Sequence, residues 1–469
     1  MKPNIIFLMI DSFSSNKFHG NEKTSHTPNL DSLISKGTYF PQTISVASTT
    51  VPSYSSVFTG LYPFQCTTKK DNVILFKKNL KTFLENFKED GYNIFAKLPE
   101  MVSITGLSEI FPNCEIFDSF ATLYDDIGNE IETKLEQLPQ PWFYYIHLMD
   151  LHGSMNIKSK PKLENFLDKK FGKNSYEQMV SALDVWIGKI ISKIDFKNTL
   201  LIITADHGSP VSEYDENMEE ENQISDEKRN TTSKLSYRFG HKVVTYFPEF
   251  LTPMRKKLSK TYTEKRNKSI SKNAESRVEK INSSDISPRT KRLLENAIMT
   301  TGNLYDEVCK IPLLFVGYSI PENKIISQQV KNIDIFPTLI EIVGQNPKKN
   351  IFGKSLIPLI KDMDVDEEPI LLQTITNSEE RIPKIGIRTS NFKYFRNDVK
   401  NTNTKFLFDL KSDPLEENNI ADQNDSIIDK LEQQISLILE KGPIDDTKTE
   451  ISQQEMDDAK DLLKKLGYI

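Results

Sequence analysis

Four residues of this chain carry the donor types that bind a divalent cation and present a hydroxyl to it. Asp11 ends the apolar run IIFLMI, Thr50 stands two residues before Pro52, and Asp206-His207 follow the run TLLIIT. A third run, WFYYIHL, leads into Asp150 and His152, and His241 lies in YRFGHKV. Mixed carboxylate and imidazole donors suit zinc or manganese better than calcium, which prefers oxygen throughout. Threonine's hydroxyl is a weak nucleophile near neutral pH, and metal coordination can activate it. This set therefore reads as Asp11, Asp206 and His207 holding one ion, with Thr50 attacking phosphorus or sulfur in line. Asp150, His152 and His241 allow two arrangements. They hold a second ion ~4 Å from the first, or the histidines contact the substrate oxyanion and protonate the leaving group.

Thr50 also has a plainer reading. In SVASTTVPSYSSVFTGLYP a hydroxyl residue followed by proline is an ordinary helix start, with the threonine as cap and Pro52 in the first turn. The same helix N-terminus favours negative charge and would receive a tetrahedral oxyanion.

The positions of these residues follow from the elements around them. IIFLMI (5–10), YNIFA (92–96), WFYYIHL (142–148) and TLLIIT (199–204) are continuous apolar runs, as in strands buried on both faces. Helical patterns at 27–37, 79–91 and 175–194 lie between them. Such alternation predicts a mainly parallel sheet with helices on both faces, whose ligands sit beyond the carboxyl ends of the strands. Residues 209–300 break the pattern as a charged insertion or lid, first acidic and then basic from Arg255. From about residue 365, two strand patterns and the amphipathic stretch SIIDKLEQQISLILEK predict a smaller α+β region, closed by a second helix at 453–469.

The composition, 37% hydrophobic and 27% charged over 469 residues, is that of a globular chain. A net charge of −6 gives no basis for nucleic-acid binding. Three scattered cysteines fit a reducing compartment rather than a disulfide framework. No run reaches the roughly 18 apolar residues that span a bilayer, and the N-terminal run has no cleavage signature, so a cytoplasmic location is expected. The basic stretch 255–292 offers a peripheral membrane contact.

Further blocks extend the pattern. PNIIFLMIDSF, HTPNLDSLISKGTYF, Thr50-Val51-Pro52-Ser53-Tyr54, LMDLHGSM, LLIITADHG and LYDEVCKIPLLFVG occur in that order. VKNIDIFPTLIEIVG, IFGKSLIPLI, GIRTSNFKYF, FLFDLKSDPLEENNIAD and LLKKLGYI follow. With these motifs the chain resembles the sulfatase family of the alkaline phosphatase superfamily over nearly its whole length outside 209–300. The resemblance implies an alkaline phosphatase-like three-layer sandwich over 1–364 and an antiparallel-sheet and helix subdomain over 365–469.

Its departures bear on the chemistry. Sulfatases convert a cysteine or serine of the nucleophile motif into formylglycine, whereas the Cβ of threonine carries a methyl group and cannot become that aldehyde. The motif's arginine is Tyr54, and the family's second acid after the first strand is Ser12. Lys97 lies near a family substrate lysine, but at a different spacing, and receives no such role. A threonine nucleophile resembles instead the phosphoryl-transferring relatives, the nucleotide pyrophosphatase-like diesterases and the phosphoethanolamine and lipoteichoic acid transferases. That resemblance implies that Asp11, Thr50, Asp206 and His207 bind the first ion and that Thr50 becomes a transient phosphothreonine. The expectation is a metal-dependent hydrolase of phosphate esters, diesters before monoesters, on a small-molecule, glycan or lipid-headgroup substrate. The alternatives are a phospho-headgroup transferase, a sulfuric ester hydrolase and a metal-free binding relic of the fold.

Overall fold

A computed structural model describes residues 2–70, 73–152, 157–210, 278, 281, 283–299, 302–346, 350–376, 382–399, 404–441 and 460. His241 and, apart from Lys460, the expected closing helix lie outside these residues. Met1–Ser209 together with Gly302–Ile469 form one compact unit, and Pro210–Thr301 another. Within the second, the described helix is Pro288–Met299.

The main sheet of the first unit has eight strands. In chain order they are β1 (Asn4–Ile10), β2 (Gly37–Tyr39), β3 (Asn93–Pro99), β4 (Asn113–Phe117), β5 (Trp142–Leu148), β6 (Thr199–Thr204), β7 (Leu313–Gly317) and β8 (Lys324–Ile325). Their order across the sheet is β8-β2-β7-β6-β1-β5-β3-β4. The five strands from β6 to β4 are mutually parallel, and β7 runs antiparallel to both neighbours. The mainly parallel sheet and its fully buried β1, β5 and β6 agree with the continuous apolar runs.

Both faces of the sheet are covered, and strand parity assigns each residue to a face. Ile6, Leu8, Ile10, Tyr144, Ile146, Leu148, Leu201 and Ile203 pack on one side with helices α1 (Pro28–Ser35) and Ser175–Ser192. Phe7, Met9, Phe143, Tyr145, Leu200 and Ile202 pack on the other with α2 (Thr50–Thr59), α3 (Phe83–Glu89) and Ile335–Ile342. Helix α3 begins later than the 79–91 pattern predicts, because Glu85 accepts from the Thr82 amide and fixes the start there. Helix α2 ends at Gly60, in a left-handed conformation (φ 70°) where a Cβ would lie 2.6 Å from the Phe336 ring.

A four-stranded antiparallel sheet, β9 (Ile370–Gln373), β10 (Lys384–Arg388), β11 (Phe392–Asn397) and β12 (Lys405–Asp409), forms the C-terminal region with the helix Asp425–Leu439. Its core includes Ile44, Val46, Tyr62 and Cys309 from the first part of the chain. Ionic contacts strengthen that junction. Asp306 takes two bonds from Arg388 (3.0 and 2.8 Å) and one from Lys393 (2.6 Å), and Lys393 also reaches Glu416 at 3.0 Å. Burial would raise the Asp306 pKa, but the Arg388 and Lys393 cations outweigh it and hold the carboxyl far below the usual range.

Removing one partner of a buried ion pair leaves uncompensated charge. Lys393→Met should therefore lower stability by about 3 kcal/mol at pH 7 in urea denaturation. A depressed carboxyl contributes its stability above its unfolded pKa and loses it as pH falls, so the difference between wild type and variant should narrow below about pH 4.

Candidate active site

Asp11, Asp206 and His207 converge beyond the carboxyl ends of β1 and β6. One ligand atom from each lies within 4.8 Å of the others. The strands end level, with Met9 opposite both His147 and Thr204. Asp11 continues the parity of Phe7 and Met9, and Asp206 that of Leu200 and Ile202, so both acids emerge on the side covered by α2.

Each carboxylate spends one oxygen on structure. Asp206 Oδ1 accepts from the amides of Ser12 (3.0 Å) and His207 (2.7 Å), and Asp11 Oδ1 accepts from the Ser12 hydroxyl at 2.6 Å. Ser12 holds a left-handed backbone (φ 61°), unusual for a residue with a Cβ, and Tyr176 donates to its carbonyl at 2.7 Å. Asp11 Oδ2 accepts from the Thr50 hydroxyl at 3.2 Å, while Asp206 Oδ2 is buried without a hydrogen-bond partner.

Thr50 is not the cap. Thr49 occupies the N-cap position, its side chain makes no capping bond, and Thr50 is the first helical residue. Its hydroxyl lies 3.3 Å from His207 Nε2. The free amides at the start of α2 place the positive end of the helix on the same spot. Tyr54, at the position of the family's arginine, is buried in the core with its hydroxyl 2.7 Å from that of Thr105.

The electrostatics describe a cluster short of positive charge. Burial pushes Asp206 up, and the charge of Asp11 adds to it. Burial also works against charge on Asp11, but the imidazoles of His152, His147 and His207 outweigh it and keep that carboxyl far below the usual range. Burial depresses His207, yet Asp206 and Asp11 raise it above the ordinary value. His207 Nδ1 lies 2.8 Å from the Gly208 carbonyl, which can only accept, so Nδ1 carries hydrogen, and in the neutral ring Nε2 turns its lone pair to the cluster. An orphaned carboxylate oxygen, a second carboxylate beside it and an imidazole lone pair fit a divalent cation.

A second layer fixes this arrangement. Ser53 Oγ donates to the Asp206 carbonyl at 2.6 Å, and Ser45 Oγ lies at the same distance from that oxygen. Asn332, fully buried, donates to both hydroxyls (3.1 and 3.2 Å) and accepts from the Val46 amide. Behind His207, the Gly208 amide bonds the Val308 carbonyl at 2.7 Å. A Cβ on Gly208 would meet the Glu307 carbonyl at 2.4 Å, so this approach requires glycine.

The other sequence candidates are placed differently. Asp150 is buried and accepts from the Leu123 amide at 3.1 Å, and burial lifts its carboxyl to about 7. It is not among the converging donors. His152 acts electrostatically on Asp11, and His241 is outside the described residues. Lys97 is a buried ion-pair partner of Glu130 at 2.6 Å and Glu115 at 3.4 Å. His147, fully buried with Nε2 3.8 Å from Asp11 Oδ2, belongs to the site although the sequence reading gave it no role. Its two-residue spacing from Tyr145 was the available signal.

A mainly parallel sheet with its ligand cluster at the carboxyl edge, joined to a C-terminal antiparallel sheet, defines an alkaline phosphatase-like fold. The sulfatase family profile matches residues 3–345, and the profile for the C-terminal region of N-sulphoglucosamine sulphohydrolase matches residues 297–441. The chain belongs to the sulfatase family. Arylsulfatase K of Canis lupus familiaris is 31% identical over 144 residues, which span 29% of this chain and 27% of that protein. The ulvan-active sulfatase of Formosa agariphila is 24% identical over 92% of this chain and 78% of its own. Among solved structures, BT4656 bound to its substrate D-glucosamine-2-N,6-O-disulfate has a TM-score of 0.63 at 15% identity, covering 94% of this chain and 98% of its own. The phosphonate monoester hydrolase of Agrobacterium radiobacter has a TM-score of 0.60 at 13% identity, covering 97% and 99%.

Asn332→Ala would leave the Ser45 and Ser53 hydroxyls and the Val46 amide without this partner. A loss of about 2 kcal/mol in urea denaturation is expected.

Proposed function

We propose that this protein is a divalent-metal-dependent hydrolase of phosphoric esters, diesters before monoesters, with Thr50 as nucleophile. The observation that carries the reading is a threonine hydroxyl bonded to Asp11 at the N-terminus of α2, at the position where sulfatases carry a residue convertible to an aldehyde. Asp11, Asp206, His207 and Thr50 would hold the ion, with zinc or manganese favoured by the imidazole nitrogen and by serine at position 12. When bound, the ion supplies Lewis acidity to the hydroxyl and to the substrate oxygens.

The protein's own groups account for the rest. Asp11 Oδ2 orients Thr50 Oγ, and the first amides of α2 face the negative charge of the transferred group. As the Oγ–P bond forms, Thr50 Oγ gives up its proton to solvent, the bond from phosphorus to the leaving oxygen breaks, and His152 is the candidate to give that oxygen its proton. Water then cleaves the Oγ–P bond and restores the threonine. Sulfuric ester hydrolysis is the second reading, favoured by the family and by the sulfatases among its relatives.

Zinc- or manganese-loaded protein should be assayed in parallel on aryl phosphodiester, phosphomonoester and sulfate ester. Phosphodiester turnover is expected to fall by roughly 10³-fold or more in Thr50→Ala and to vanish on chelation. Sulfate turnover exceeding phosphoester turnover, or phosphoester turnover that survives in Thr50→Ala, would overturn the reading.

A further inference from the structure

His147 presents an imidazole to the site with one nitrogen unused. Both His147 and Tyr145 are fully buried on β5, and two residues apart they share a face of the sheet. The Tyr145 hydroxyl lies 2.9 Å from His147 Nδ1. Burial, with the nearby Asp206, pushes the Tyr145 phenol well above its ordinary range, so its oxygen keeps its hydrogen. That hydrogen needs an acceptor, and leaving it unpaired in the core would cost about 1–3 kcal/mol. His147 Nδ1 is the partner within reach. A ring that accepts at Nδ1 carries its hydrogen on Nε2, which lies 3.8 Å from Asp11 Oδ2 and has no hydrogen-bond partner of its own.

His207 is wired the other way. Its Nδ1 hydrogen goes to the Gly208 carbonyl, and its Nε2 offers a lone pair. The two imidazoles thus approach the same carboxylates with opposite polarity, one as an electron-pair donor and one as an N–H donor. Consistently, His147 Nε2 is not among the atoms that converge within 4.8 Å.

We propose that His147 is a positioning residue for the metal centre: its Nε2–H steadies the Asp11 carboxylate, and Tyr145 fixes the tautomer that makes this possible. The inference rests on the metal reading above and adds a residue to it. Partners of this kind typically contribute 10–100-fold to metal affinity without joining the coordination shell.

The test is calorimetric titration of Zn²⁺ into the full chain, with X-ray absorption at the zinc edge on the loaded protein. Wild type should show a shell containing one imidazole. His147→Ala should bind zinc roughly 10–100-fold more weakly with the same one-imidazole shell, and Tyr145→Phe should weaken binding in the same direction. If circular dichroism shows His147→Ala unfolded, His147→Leu, which also lacks the N–H but keeps the bulk, takes its place with the same loss expected. Two imidazoles in wild type, falling to one in the variant, would make His147 a ligand and overturn the proposal. Unchanged affinity would overturn it equally. Wild type that binds no zinc or manganese would instead bring down the metal reading itself.

Discussion

Two carboxylates buried side by side, Asp11 and Asp206, set the constraint that the surrounding structure answers. Placing both where water cannot reach them is unfavourable unless charge or hydrogen bonds compensate. The groups that bond them are accordingly donors. Ser12 gives an amide and a hydroxyl, His207 an amide, Thr50 a hydroxyl, and α2 its positive end. Even the left-handed backbone at Ser12, which costs ~1 kcal/mol or more, serves to aim an amide at Asp206. The compensation stops one oxygen short, at the unpartnered Asp206 Oδ2, beside which the proposed cation would sit.

Holding the pair requires parts of the chain far apart in sequence. Asn332 links the loop after Ile44, the first turn of α2 and the end of β6 through two serine hydroxyls. The short helix Asp306–Cys309 backs His207 through the Val308 carbonyl and is itself clamped by Arg388 and Lys393 of the C-terminal sheet. The C-terminal region is thereby coupled to the geometry of the site while contributing none of its converging donors.

Much of this was legible in the sequence. Apolar runs ending in Asp11 and Asp206-His207 announced strand ends, and a parallel sheet brings strand ends to one edge. Thr50 was legible because a hydroxyl beside Pro52 marks a helix start, although Thr49 takes the cap position. Parity was harder to read. In a strand covered on both faces, apolar residues do not alternate with polar ones, so nothing in WFYYIHLMD tells which side each residue serves. Tyr145 and His147 belong to the α2 side. Asp150, equally acidic and equally near the strand end, has the parity of Ile146 and Leu148 and bonds the Leu123 amide on the opposite side. The Asn332 hub was illegible for another reason: a buried amide joining three segments far apart in sequence has no local pattern.

The Gly208 amide bonded to the Val308 carbonyl has a consequence for how this chain tolerates change. That bond, and the one from the Ser209 amide to Ser14 Oγ, pin the strand end of β6 just before the chain leaves for Pro210–Thr301. The return at Asp306 is pinned by its own ion pairs. Exit and re-entry are thus each held by contacts made inside the first unit. Changes confined to Pro210–Thr301 therefore leave every partner of these bonds in place at the carboxyl edge of the sheet.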